Sequence, residues 1–185
     1  MVHRPMTETI IIVDLEATCC DQGTVPRDEM EIIEIGAVAT EIRTGEAISE
    51  FQSFVRPVRN PLLTDFCREL TTIRQKDVDA ADGYPDVISR FSDWLKQWPG
   101  HQFGSWGDYD RRQFEKDSAF HDMDLPFPGK HRNIKREVAT ELKLRKPMGV
   151  AGTLAKLGMK FDGVAHRGID DARNIAFLYK SVLCA

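Results

Sequence analysis

Three acidic clusters carry the residue types that metal and proton chemistry needs. The first is Asp14 with Glu16 in TIIIVDLEATCC, residues 9–20, the second is Asp108 with Asp110 in GSWGDYDRRQF, and the third is His166 with Asp170 and Asp171 in HRGIDDARNIA. Thr9 to Val13 is β-branched at every position, which predicts a buried strand. Side chains alternate faces along a strand, so Asp14 and Glu16 point the same way and Leu15 points into the opposite layer. Two ionised carboxylates on one face repel each other, and desolvating either without a partner costs several kcal/mol. No arginine stands beside them in the sequence. A divalent cation removes the conflict, because hard oxygen ligands suit Mg²⁺ or Mn²⁺. If the later clusters converge on the same sheet edge, four carboxylates surround one pocket. Such a pocket can hold two cations that clamp the attacking and leaving oxygens of an in-line phosphoryl displacement. Singly, the later clusters also have ordinary readings: an Asp at a helix start caps it or complements its dipole, and a loop histidine need not be a catalyst.

The elements that must position these residues follow from periodicity. Residues 31–42 and 47–57 read as strands joined by a turn at Gly45, an antiparallel hairpin. Residues 63–73 read as a short helix, and residues 84–99 as a helix with Val87, Phe91, Trp94 and Leu95 facing the core. A strand is expected over 101–106, then helices over 108–120, 133–144, 152–159 and 170–183. The implied fold class is α/β, a mixed β-sheet with antiparallel leading strands flanked by α-helices.

With 185 residues, 42% hydrophobic and 29% charged, the chain is long enough for one well-buried domain and short for two. No repeat, low-complexity segment or linker interrupts it, so residues 1–185 are expected to form a single domain with residues 1–8 as a flexible N-terminus. The N-terminal residues lack an apolar core and no apolar run approaches a membrane span, so a cytoplasmic location and no membrane partner are expected. Cys19, Cys20, Cys67 and Cys184 show neither disulfide density nor a zinc spacing, which fits a reducing compartment. The net charge of −4 argues against a polyanionic ligand until its distribution is considered. Residues 130–146 hold seven Lys/Arg against two Glu, a local +5 that leaves −9 elsewhere. A basic track beside an acidic pocket fits a nucleic acid strand entering a metal site, and a solvated helix face with mixed charges fits the same residues.

The motif DLEAT, the downstream Asp110 and HRGIDDARNIA resemble the three motifs of the DEDDh 3′-to-5′ exonucleases, the DnaQ-like branch of the ribonuclease-H-like fold. His166 and Asp171, with four residues between them, match the DEDDh subtype. DLEATC, EIIEIGAV, VRP and LTDFCRELTTI further resemble the histone-mRNA 3′-exonuclease and RNA-interference-modulating subgroup, and the similarity spans nearly the whole chain. Tyr109 stands before Asp110 where subgroup members often carry Trp, and Trp106 lies earlier.

The resemblance implies a ribonuclease-H-like fold and a two-metal hydrolase. Asp14, Glu16, Asp110 and Asp171 would bind two Mg²⁺ or Mn²⁺ ions, and His166 would act as general base from a glycine-containing loop. The substrate implied is single-stranded nucleic acid, RNA favoured over DNA, shortened from its 3′ end to nucleoside 5′-monophosphates. Ala17, Thr18, Phe66, Cys67, Leu70, Thr71 and Ile73 match the segments that contact the terminal nucleotide, with Trp106, Tyr109 and His166 as further candidates. Phe66, Leu70 and Ile73 read equally well as core residues. Two alternatives stay open: a phosphodiesterase for dinucleotides or other small substrates, and a nucleic-acid-binding module with weak catalysis.

Overall fold

The computed structural model describes residues 8–127 and 129–184. The expectation of a flexible segment over residues 1–8 falls, apart from Glu8, outside the described residues. Five strands form one sheet in the order β3-β2-β1-β4-β5, with β1 at Thr9–Ala17, β2 at Ile32–Glu41, β3 at Ala47–Phe54, β4 at Gln102–Ser105 and β5 at His131–Asn133. β2 pairs antiparallel with both β1 and β3, while β4 pairs parallel with β1 and β5 parallel with β4. Seven α-helices cover the described sheet: α1 Asp65–Thr71, α2 Gln75–Asp79, α3 Tyr84–Leu95, α4 Tyr109–Phe120, α5 Ile134–Glu141, α6 Val150–Lys156 and α7 Gly168–Leu178. A π-helical turn, Tyr179–Leu183, carries the chain on from α7.

The sheet is the mixed α/β arrangement read from the sequence, with differences in detail. β1 runs on through Asp14 and Glu16, so the carboxylates sit within the strand. The five-residue α2 and the three-residue β5 were not foreseen: neither spans a full hydrophobic repeat, and HRN carries no alternation of its own. The last helix begins two residues earlier than expected and ends in the π turn.

Alternation along β1 sorts its side chains into two cores. Ile11, Val13 and Leu15 pack with Val87, Ile88 and Phe91 of α3, and with Phe114 of α4. Ile10 and Ile12 pack with Ile169, Ala172 and Ile175 of α7 on the other face. Asp14 and Glu16 continue that second row, so the strand delivers them beneath the start of α7.

Two glycines set how close that helix comes. Gly36 lies opposite Asp14 in the β1–β2 register. A Cβ on Gly36 would stand 2.1 Å from the Gly168 carbonyl carbon, and one on Gly168 would stand 3.0 Å from the Asp14 carbonyl oxygen. Only glycine backbone lets α7 rest on the strands there, which brings Asp171, in its first turn, beside Asp14. Among the described residues, no helix is long and apolar enough to cross a membrane.

Candidate active site

The carboxyl ends of the parallel strands β1 and β4 open onto a cleft of about 510 Å³, where open α/β sheets bind ligands. Asp14, Glu16, Asp110, His166 and Asp171 all line it. Carboxylate oxygens of Asp14, Glu16 and Asp171 lie within 4.8 Å of one another. Asp110 enters from the first turn of α4, is 4% exposed, and accepts the Leu15 backbone N–H at 3.0 Å through Oδ1. Leu15 thus serves the site with its backbone while its side chain fills the opposite core.

Crowding these acids in a half-dry cleft opposes their ionisation. Burial raises the Asp14 carboxyl well above its usual range, and the charges of Asp110, Glu16, Asp171 and Glu34 push it further. Glu16 is pushed up to about 8, by burial first and then by Asp171, Glu34 and Asp110. Burial also raises Asp110, to about 6, against hydrogen bonds from the Ser105 hydroxyl and the Leu15 N–H that favour its ionised form. Asp171 is raised by burial and opposed chiefly by the His166 N–H. The α7 N-terminus offsets part of this cost, since its unpaired N–H groups carry partial positive charge.

A stability prediction follows from these directions. At these four carboxyls the folded chain without metal holds more protons than the unfolded chain between about pH 4.5 and about pH 8. The stability they contribute therefore falls as pH rises through that window, on the order of a few kcal/mol, and outweighs the opposing, lowered His121 and His131. Thermal unfolding in excess chelator should show a melting temperature that declines across the window, and millimolar Mn²⁺ should restore most of the loss at its alkaline end. A chelated protein that becomes more stable over the same range would contradict the charge crowding.

His166 adopts a left-handed backbone conformation, φ +62°, and its N–H donates to Asp171 Oδ2 at 2.7 Å. Asp170 Oδ2 accepts from the Val164 N–H, and Asn174 Oδ1 accepts from the Asp162 N–H. Three α7 side chains thus strap the glycine-containing loop to the helix. They fix the backbone of His166 against a carboxylate of the site while its ring stays exposed to the cleft.

The candidate substrate contacts divide. Ala17, Leu70, Trp106 and Tyr109 line the cleft, and the Trp106 ring is pinned by its N–H to the Met148 carbonyl at 3.0 Å. Phe66 is exposed one turn before Leu70 on α1. Cys67, Thr71 and Ile73 do not line the cleft: they are fully buried, Cys67 and Ile73 in a core with Ile33 and Val78, and Thr71 bonded to the Cys67 carbonyl. Thr18 is also buried, its hydroxyl accepting the Glu31 N–H at 2.9 Å. Asp108 stands at the N-cap position of α4 but makes no cap; it accepts from Asn133 Nδ2 at 3.0 Å and faces Arg136.

Glu34 is a site neighbour that sequence reasoning passed over. It lies opposite Glu16 in the register, is fully buried, and accepts from Arg167 at 3.0 and 3.2 Å and from the Gly168 N–H at 3.0 Å. It ties the strand to the start of α7. A carboxylate within the apolar run EIIEIGAV was the available signal.

Four carboxylates and a histidine thus meet in one cleft at the edge of a mixed α/β sheet. The family model described as exonuclease matches residues 11–179, and the chain belongs to that family, in its DEDDh branch. The chain is 37% identical to human 3′-5′ exoribonuclease 1 over 176 residues, covering 90% of this chain and 50% of that protein. It is 33% identical to ERI1 exoribonuclease 2 of Xenopus laevis, covering 98% of this chain and 29% of that protein. The chain therefore spans half or less of these curated relatives. The solved nuclease domain of 3′hExo bound to rAMP superimposes with a TM-score of 0.87 at 34% identity, over 97% of this chain and 93% of that one. Exonuclease I from E. coli shares the fold, with a TM-score of 0.71 at 13% identity over 95% of this chain and 41% of that one.

Proposed function

We propose that the chain is a divalent-metal-dependent 3′-to-5′ exonuclease that shortens single-stranded RNA from a free 3′ hydroxyl and releases nucleoside 5′-monophosphates. The observation that carries this reading is the convergence of the Asp14, Glu16 and Asp171 carboxylates within 4.8 Å, with Asp110 and His166 on the same cleft. An all-carboxylate donor set with mutually raised proton affinities fits Mg²⁺ or Mn²⁺, because a hard dication relieves the repulsion that protonation otherwise relieves. Asp14, Glu16, Asp110 and Asp171 would hold two such ions. When bound, these supply a lowered pKa for the attacking water and neutralisation of charge at the departing 3′ oxygen.

The chain's own groups do the rest. The His166 imidazole takes the proton of the attacking water, and no covalent enzyme intermediate forms. Leu70, Trp106 and Tyr109 offer apolar and aromatic surface for a terminal nucleoside, which tolerates any base. A cleft of about 510 Å³ suits one nucleotide, and a neighbour solved with rAMP supports the same scale. RNA is favoured over DNA because the relatives are exoribonucleases. Upstream phosphates fall to Lys130, Lys135, Lys143, Arg145 and Lys146, since Arg132 and Arg136 are engaged by Glu137 and Asp108. The same reading keeps the chain in a reducing compartment, where its four cysteines stay free thiols.

The test is end-labelled RNA beside dinucleotides, each with and without chelator. Metal-dependent shortening of the RNA is expected; turnover of dinucleotides alone would point to a small-substrate phosphodiesterase. His166→Ala should slow single-turnover cleavage by about a hundredfold, with metal affinity retained. The backbone N–H to Asp171 survives that change. An undiminished single-turnover rate at saturating metal would rule His166 out as the base.

A further inference from the structure

Met30 reaches the cleft from the segment just before β2, and the chemistry above gives it no part. It is half-buried and lines the same cleft as Leu70 and Tyr109. Residues 26–29 before it are exposed, while Glu31 and Ile32 after it are buried, so Met30 is where this segment passes from solvent into the core. A thioether side chain has three rotatable bonds and adapts its shape to what it meets. It can serve a substrate only if its backbone stays in place.

A buried polar network with no other role in the site holds that backbone. Gln113 Nε2 donates to the Met30 carbonyl at 2.6 Å, and Arg59 Nη2 reaches the same oxygen at 3.4 Å. Asp117 Oδ1 accepts from Arg59 at 2.9 Å, and Oδ2 accepts from the Ile32 N–H at 2.7 Å. The Glu31 carboxylate accepts the backbone N–H groups of Val58, Arg59 and Asn60, at 2.9, 2.8 and 2.8 Å. Gln113 is 1% exposed, and its Oε1 has no hydrogen-bond partner among the described residues. A buried amide that leaves its acceptor unused is placed for its donor, and that donor is on Met30. Asp110, Gln113 and Asp117 form one buried stripe of α4, spaced three and four residues apart. The helix face that delivers Asp110 to the cleft therefore also fixes Met30 there.

We propose that Met30 is a substrate-contact residue, completing with Leu70 and Tyr109 the apolar wall for the terminal nucleoside, and that Gln113 is its positioning residue. Dispersion contacts from a thioether suit any base, as a sequence-tolerant exonuclease needs. A network that merely braced the start of β2 would affect stability and leave substrate binding untouched. The inference rests on the cleft holding a terminal nucleotide, which the unaltered protein tests separately.

The test measures adenosine 5′-monophosphate binding by calorimetry in Mn²⁺, beside KM and the saturated single-turnover rate on single-stranded RNA. Met30→Ala should weaken nucleotide binding and raise KM by about tenfold each, with the saturated rate within about twofold of the unaltered protein. Met30→Leu, which refills the wall, should restore binding to within about threefold. Gln113→Met, similar in size but without a donor, should reproduce the loss, and Met30→Ala/Gln113→Met should bind no more weakly than Met30→Ala alone. Should Gln113→Met fail to fold, Gln113→Asn, whose shorter amide draws back from the Met30 carbonyl, must show the loss. Unchanged nucleotide affinity and KM in Met30→Ala overturn the contact, and losses that multiply in the double variant overturn the positioning role. Either result leaves the exonuclease reading intact, whereas an unaltered protein that neither binds the nucleotide nor shortens RNA overturns both.

Discussion

Asp14→Asn and Glu16→Gln are each expected to lower turnover of single-stranded RNA by at least about a thousandfold, the scale of the several kcal/mol that metal coordination contributes to a phosphoryl transition state. Neither change should unfold the chain. Both side chains sit among carboxylates that raise one another's proton affinity, so removing one charge relieves repulsion in the metal-free protein. The melting temperature in chelator should therefore rise, by about 2–4 °C for each kcal/mol relieved, most clearly toward pH 8 where the acids are ionised. Opposite signs for activity and stability distinguish a charged functional site from a structural one. Calorimetry in chelator with turnover in Mg²⁺ gives both numbers, and a variant that loses stability along with activity would contradict the account.

The second large effect separates two aspartates two residues apart. Asp110→Asn preserves shape and can still accept from Leu15, yet it removes the charge that faces Asp14 and Asp171, so activity should fall by about a thousandfold. Asp108→Asn should cost less than about tenfold, because its carboxylate faces Asn133 and Arg136 on the other side of the α4 start. Turnover and Mn²⁺ affinity of the two folded variants make the comparison. The reverse ranking would mean that Asp108, not Asp110, supplies the ligand.

The contrast between these neighbours shows how far the sequence alone could reach. Asp14 and Glu16 were legible because charge on an apolar strand is costly and a period of two fixes their common face. Glu34 carried the same signal, but its partner Arg167 lies 133 residues away, a separation no local pattern spans. The resemblance offers the segment holding Phe66, Cys67, Leu70, Thr71 and Ile73 as a pocket wall, while Phe66, Leu70 and Ile73 read equally well as core residues. The helix splits it: Phe66 and Leu70 share an outward stripe, Cys67 and Thr71 an inward one. β5 stayed invisible because His131, Arg132 and Asn133 become a strand only through pairing with β4.

The most direct measurement uses an oligoribonucleotide labelled at its 5′ end, with either a 3′ hydroxyl or a 3′ phosphate, incubated with the chain in Mg²⁺ and in chelator. The proposed removal of one 3′-terminal nucleotide at a time predicts a ladder shortened stepwise from the hydroxyl end in Mg²⁺, a blocked 3′-phosphate strand, and no products in chelator. Equal degradation of both strands, internal fragments appearing first, or undiminished cleavage in chelator would contradict it.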